Sequence, residues 1–145
     1  MRVRVLERIQ SAFPFVESDY GFTLIEKSYD SKSFGNVIVK YQSNDVSFIV
    51  CRDRFEFYSL FIPVNNAKVQ YNDFSILEFL SQKKDYEKLT RSSQRSLRKF
   101  SKILRRHFLE IITLFKPENY EQFRIEIQKT LDEKKRVFLQ RYGVK

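Results

Sequence analysis

Between Lys88 and Leu109 the chain carries eight positive side chains and no carboxylate: Lys88, Arg91, Arg95, Arg98, Lys99, Lys102, Arg105 and Arg106. The chemistry open to such a row is electrostatic. It attracts anions over a distance and holds phosphate or carboxylate groups at contact, without bond-making of its own. The steps 91, 95, 98, 102 and 105 alternate four and three, which keeps a helical row straight, and from Arg91 to Arg106 the ridge runs about 22 Å at 1.5 Å per residue. A solvated outer face of a core helix also accounts for the row. Against that plain reading stands the unmixed sign. Arg91/Arg95, Arg95/Lys99, Arg98/Lys102 and Lys102/Arg106 are like pairs, each costing about 0.2–0.5 kcal/mol on a helix, where mixed signs would help. An anionic partner explains why the cost is tolerated.

No catalytic signature accompanies the row. His107 is the only histidine and falls at the edge of an apolar stripe, so it reads as a boundary residue rather than a general base. Its count excludes a metal site built from several histidines. Cys51 is the only cysteine, which excludes an intrachain disulfide and fits a reducing compartment. It alternates within a strand and reads as a small buried hydrophobe. Asp19, Glu26, Asp30, Asp45, Asp53 and Glu56 stand singly, mostly at turns, and turn chemistry accounts for them. Gly21, Gly35 and Gly143 are too far apart for a phosphate-binding loop. The expectation is a non-enzymatic protein without a cofactor.

The elements that must position the basic row follow from periodicity. The chain has 145 residues and a net charge of +9. Residues 1–82 balance at −1 and residues 83–145 at +10, so the basic character belongs to the C-terminal part. Val3, Leu6, Ile9, Ala12 or Phe13, and Val16 step by three or four and predict a helix over about 2–13, stopped or kinked near Pro14. From Tyr20 to Ile62 the period falls to two. Segments around Phe22–Lys27, Val37–Tyr41, Val46–Cys51 and Phe55–Ile62 are rich in aromatic and β-branched residues. Short polar connections join them. This predicts a four-stranded antiparallel meander, with 64–71 a weak extra strand or a loop.

The remainder is helical. Asp73 is placed as the cap of a short helix over 74–82, and Thr90 as the cap of a long one over 91–115. On the latter Leu97, Phe100, Leu104, Phe108, Ile111 and Phe115 form one apolar stripe, and the cations fall on the other side. Pro117 suits the first turn of a last helix reaching about 140, and Gly143 follows its end. The expected fold is a two-layer α+β domain over 1–145, with an N-terminal helix and three C-terminal helices packed on one face of the meander.

Phe13-Pro14-Phe15, Tyr20-Gly21-Phe22, Ser33-Phe34-Gly35-Asn36 and Asp53-Arg54, followed by the Asp73 helix, together resemble a group of small uncharacterised bacterial proteins. Some of that group are similar to immunity proteins of toxin systems. The matching pieces cover about residues 13–80 and are mostly turn and core residues. The group often has Gly after the Asp-Arg pair, where this chain has Phe55. The resemblance implies a cytoplasmic α+β protein without an established enzyme activity, and it supplies no catalytic residues.

The basic row raises three kinds of partner. An acidic protein is preferred, with the possibility that the chain is an immunity-like antidote. A sequence-indifferent nucleic acid is the alternative, because phosphate contacts need only Lys and Arg. The row itself offers no exposed aromatic for base stacking. A membrane partner is not expected, since the apolar stripe is needed by the sheet and no apolar run approaches the ~20 residues of a spanning helix. Charges interrupt Met1–Arg8 too early for a signal-peptide core.

Overall fold

The computed structural model of the chain describes residues 2–30, 36–82 and 89–143. Lys88 of the basic row and Ser33-Phe34-Gly35 of the loop motif lie outside the described residues. Helix α1 (Arg2–Ala12) gives way to a short α2 (Pro14–Ser18), with Pro14 in its first turn. There the ring removes an N–H that would have no intrahelical partner. The sheet follows as β1 (Thr23–Asp30), β2 (Asn36–Gln42), β3 (Val46–Asp53), β4 (Glu56–Pro63) and β5 (Tyr71–Asn72). All neighbours are antiparallel and in sequence order. Helices α3 (Asp73–Ser81), α4 (Arg91–Arg95), α5 (Leu97–Thr113) and α6 (Pro117–Tyr142) complete the chain. The arrangement is the expected two-layer α+β fold, with two corrections.

The sheet has five strands rather than four. β5 contributes two residues, Tyr71 and Asn72, paired with Phe61 and Leu60. So short a strand carries no period of its own and exists because β4 offers an open edge. The helix expected over 91–115 is two helices. Ser96 takes an extended backbone (φ −118°, ψ 109°), ends α4 and caps α5, its Oγ accepting from Lys99 N at 3.4 Å. Serine side chains compete with the helix ladder for backbone N–H groups, so the chain breaks where a serine precedes the apolar stripe.

Alternation along the strands decides the inner face. Val37, Val39 and Tyr41 of β2, Val46, Phe48 and Val50 of β3, and Phe57 and Phe61 of β4 are buried on one side. Helix α5 lies against them and buries Leu97, Phe100, Ile103, Leu104, His107, Phe108 and Ile111. His107, placed at the boundary by its spacing, is 8% exposed and belongs to the buried side. The meeting surface is aromatic. The Phe108 ring lies edge-on to Phe15 at 5.3 Å and to Phe48 at 5.1 Å, and it also touches Tyr20, Phe22 and Phe61. It therefore joins α5 to α2, to the entry of β1, and to β3 and β4. Edge-to-face pairs each add about 0.5–1.5 kcal/mol beyond the area they bury. A second cluster links Tyr71, Phe79, Phe115 and Phe123, tying β5, α3 and α6 to the same core.

Asp73 also differs from expectation. Asn72 caps α3, its Oδ1 accepting from Ser75 N at 2.8 Å. Asp73 is 1% exposed, and its carboxylate reaches across to β4. One oxygen accepts from Ser59 N at 2.8 Å and Ser59 Oγ at 2.9 Å, the other from Phe74 N at 2.8 Å. Burial pushes its pKa up to about 6, against the pull of those donors.

Helix α6 is longer than the body it serves. Among its residues Phe123 and Ile127 are buried and Leu131 is half-buried, whereas Val137, Phe138 and Tyr142 are exposed. Lys134 pairs with Glu78, and Gln82 Nε2 donates to Thr130 Oγ1 at 3.3 Å, strapping the middle of α6 to α3.

Phe108→Ala should lower unfolding stability by about 3–5 kcal/mol, read as a fall in urea midpoint, because five ring contacts are lost together. The Asp73 carboxyl is harder to ionise folded than unfolded, so its contribution is full below about pH 4 and fades as pH rises to about 6. The stability difference between wild type and Asp73→Asn should therefore shift against the wild type over that interval. Urea titrations at pH 4, 5, 6 and 7 read it directly.

Candidate functional site

The apolar stripe of α5 is committed to the sheet, so its remaining positions face outward. Arg98, Lys99, Lys102, Arg105 and Arg106 are all exposed. Ser101, between Arg98 and Lys102, is half-buried and returns its hydroxyl to Arg98 O at 3.2 Å. The structure divides the expected row at Ser96. Arg91 and Arg95 sit on α4 and face the β3–β4 hairpin, where Glu56 Oε1 lies 3.7 Å from Arg91 Nε and 3.8 Å from Arg95 Nε. The Glu56 side chain is 42% exposed, so each of these pairs is worth no more than about 1 kcal/mol. One carboxylate between two guanidiniums still moderates the α4 end. Lys99 Nζ donates to Ser92 Oγ at 3.1 Å and so reaches back over the break.

On α5 the arginines are engaged differently. Arg105 places its guanidinium 5.8 Å from the Phe15 ring centroid, a cation–π contact that costs it none of its charge. Arg98 faces an open groove of about 580 Å³ between α1 and α5. Arg4 and Arg8, one turn apart on α1, line the opposite wall, with Glu7 between them. Ala12 and Leu97 supply apolar wall, and Ser11 and Ser101 contribute hydroxyls. Among the described residues no carboxylate forms an ion pair with Arg4, Arg8, Arg98 or Lys102. Cations from two helices thus share one groove rim, and Glu7 is the one acidic side chain among its described lining residues.

The sequence reading did not single out Arg4 and Arg8. Their signal was present as a four-residue step on the side of α1 opposite Ile9 and Phe13, but nothing linear says that this side lies next to α5. Glu56 as a counter-ion to α4 was invisible for the same reason. Phe55 was missed too. It is 76% exposed at the hairpin tip, beside Arg91 and Arg95, so the α4 end does have an aromatic neighbour although its own helix has none.

Two further ionisable side chains, Cys51 and Tyr41, are buried. Cys51 is 4% exposed. Burial pushes its thiol up to about 11 while a hydrogen bond with Tyr58 pulls the other way, so it is a neutral thiol at physiological pH. Tyr41 is fully buried, its hydroxyl has no hydrogen-bond partner among the described residues, and burial raises it to about 12. Among the described residues no group of three or more His, Cys, Asp or Glu side chains is placed to hold a metal ion, and no helix is long and apolar enough to cross a membrane.

Ser96→Ala should destabilise the fold by about 1 kcal/mol through loss of the α5 cap, seen as a lowered thermal midpoint. Unchanged stability would mean that the break is held by packing alone. Comparison with known proteins gives no match to any protein-family model, to any curated protein or to any solved structure.

Proposed function

We propose that this chain is a non-enzymatic bacterial binding protein that engages an acidic protein partner through the exposed side of α5 and the facing side of α1. The observation that carries this reading is the convergence of Arg4 and Arg8 with Arg98 on one groove, continued along α5 by Lys102 and Arg105. The groove has mixed chemistry. Its basic rim suits carboxylates, and its apolar wall of Ala12 and Leu97 suits aliphatic side chains between them. A phosphodiester backbone has no use for an apolar wall. An acidic segment of a folded protein can use both features. The rim charges act chiefly on encounter, steering the acidic surface before contact, and the groove then sets the register.

In its most specific form this reading is immunity-like. The chain is a cytoplasmic antidote that occludes a toxin whose contact surface is acidic. It carries no catalytic role for any side chain and needs no cofactor. Its surface is preformed, since α1 and α5 are both anchored in the core by Ile9, Phe13, Phe100 and Phe108. The lone buried Cys51 suits a reducing compartment.

The test is capture of the partner from the native cell at low salt, followed by titration with the purified partner. Replacing Arg98, Lys102 and Arg105 together by Gln should weaken binding about tenfold or more at low salt and flatten its salt dependence, with thermal stability nearly unchanged. Recovery of nucleic acid in place of protein, lost equally with every sequence offered, would assign the surface to sequence-indifferent phosphate binding instead.

A further inference from the structure

The β3–β4 hairpin ends in Arg54-Phe55, and turn chemistry does not account for either residue. Arg54 holds a left-handed backbone (φ 60°), a conformation in which glycine or asparagine is at ease and arginine is uncommon. Its N–H donates to Asn36 Oδ1 at 3.1 Å, so the tip is braced from the start of β2. Phe55, next in line, is 76% exposed, more than any other large hydrophobic side chain among the described residues. A phenyl ring this exposed on a braced turn buries little apolar surface within this fold. The buried ring of the hairpin is Phe57, two residues on, stacked on Phe100 at 6.2 Å.

The surroundings of Phe55 are rich in guanidinium. The Arg52 group lies 5.9 Å from the Phe55 ring centroid. Arg54, Arg91 and Arg95 border the same open hollow of about 690 Å³, together with Asp53 and Glu56. Aromatic rings and arginines are the side chains most enriched at the energetic centres of protein interfaces, where one ring fills a pocket and the neighbours exclude water. A nucleobase is a poorer occupant. Asp53 and Glu56 stand on either side of the ring in sequence, and Glu56 sits within ion-pair distance of Arg91 and Arg95, so the hollow is less uniformly cationic than a phosphate track. Stacking along a strand also wants successive rings, and the hollow offers one.

We infer that Phe55 is the apolar anchor of the partner interface: it inserts into a phenyl-sized apolar pocket on the acidic protein, whose rim carboxylates meet Arg52, Arg91 and Arg95. This rests on the reading of an acidic protein partner, and it adds the point at which most of the binding energy is concentrated. It also assigns a division of labour, with the α1–α5 groove governing approach and salt dependence, and the hairpin tip governing how long the complex lasts.

The experiment uses the full chain in three forms: wild type, Phe55→Ala and Phe55→Leu. Each is titrated against the purified partner recovered with wild type, at low and at moderate salt, and against single-stranded oligothymidine as the nucleic-acid probe. Phe55→Ala should bind the partner about 30-fold more weakly or worse, through faster dissociation and with the salt slope unchanged, while Phe55→Leu keeps part of the loss at bay. An unaltered thermal midpoint for both variants shows that the fold is intact. Partner binding by Phe55→Ala equal to wild type overturns the anchor and leaves the proposed function standing. Failure of wild type to yield any protein partner overturns both. Loss of oligothymidine binding in Phe55→Ala, with partner binding untouched, overturns the anchor in favour of a base-stacking site.

Discussion

The docking of Phe108 onto the sheet is the contact on which the rest of this structure turns. One ring meets α2, the approach to β1, and β3 and β4 together. That engagement fixes the rotation of α5 about its own axis. Once Leu97, Phe100, Leu104, Phe108 and Ile111 point inward, Arg98, Lys102 and Arg105 have nowhere to point but out. The charged face is therefore a geometric consequence of core packing. Its precision is inherited from an aromatic cluster in which close-packed rings tolerate little sliding.

Like charges crowded on one helix repel, and the chain contains that cost in two ways. The break at Ser96 swings Arg91 and Arg95 away from the α5 row and toward Glu56, so the longest run of like pairs is interrupted. On α5 itself, Arg105 lays its guanidinium over Phe15, where the face of the ring offers partial compensation without a counter-charge. Arg4 and Arg8 do the opposite. They bring further positive charge to Arg98 across the groove. A fold selected for stability alone has no reason to gather cations there.

Much of the architecture was legible because it is written locally. The switch from a three-to-four step to a two-residue step between Val16 and Phe22 marks the passage from helix to sheet. Asn44-Asp45 and Asp53-Arg54 mark the reversals, and Pro117 and Gly143 bracket the last helix closely. What was not legible depends on partners distant in sequence. β5 needs the free edge of β4. Asp73 reads as a cap until Ser59, fourteen residues earlier, claims its carboxylate. The basic row reads as continuous because serine is tolerated inside helices, and whether Ser96 continues a helix or caps one depends on where the core holds Leu97. The site suffered most. Arg4 comes to the cationic surface from α1, Phe55 and Glu56 from the β3–β4 hairpin, and no spacing rule joins either to α4 or α5.

The far third of α6 has a consequence for motion. Past the strap made by Gln82 with Thr130 and Glu78 with Lys134, the helix has no buried side to lean on, and its ladder is sustained by neighbours along its own turns. The Phe138 and Tyr142 rings touch at 4.7 Å, and Arg136 bonds Glu133. Such a stretch can open locally without disturbing the sheet. With no buried side chain among the described residues beyond Ile127, the backbone hydrogen bonds of this stretch lie open to solvent, where those around Phe123 and Ile127 are sheltered by the core.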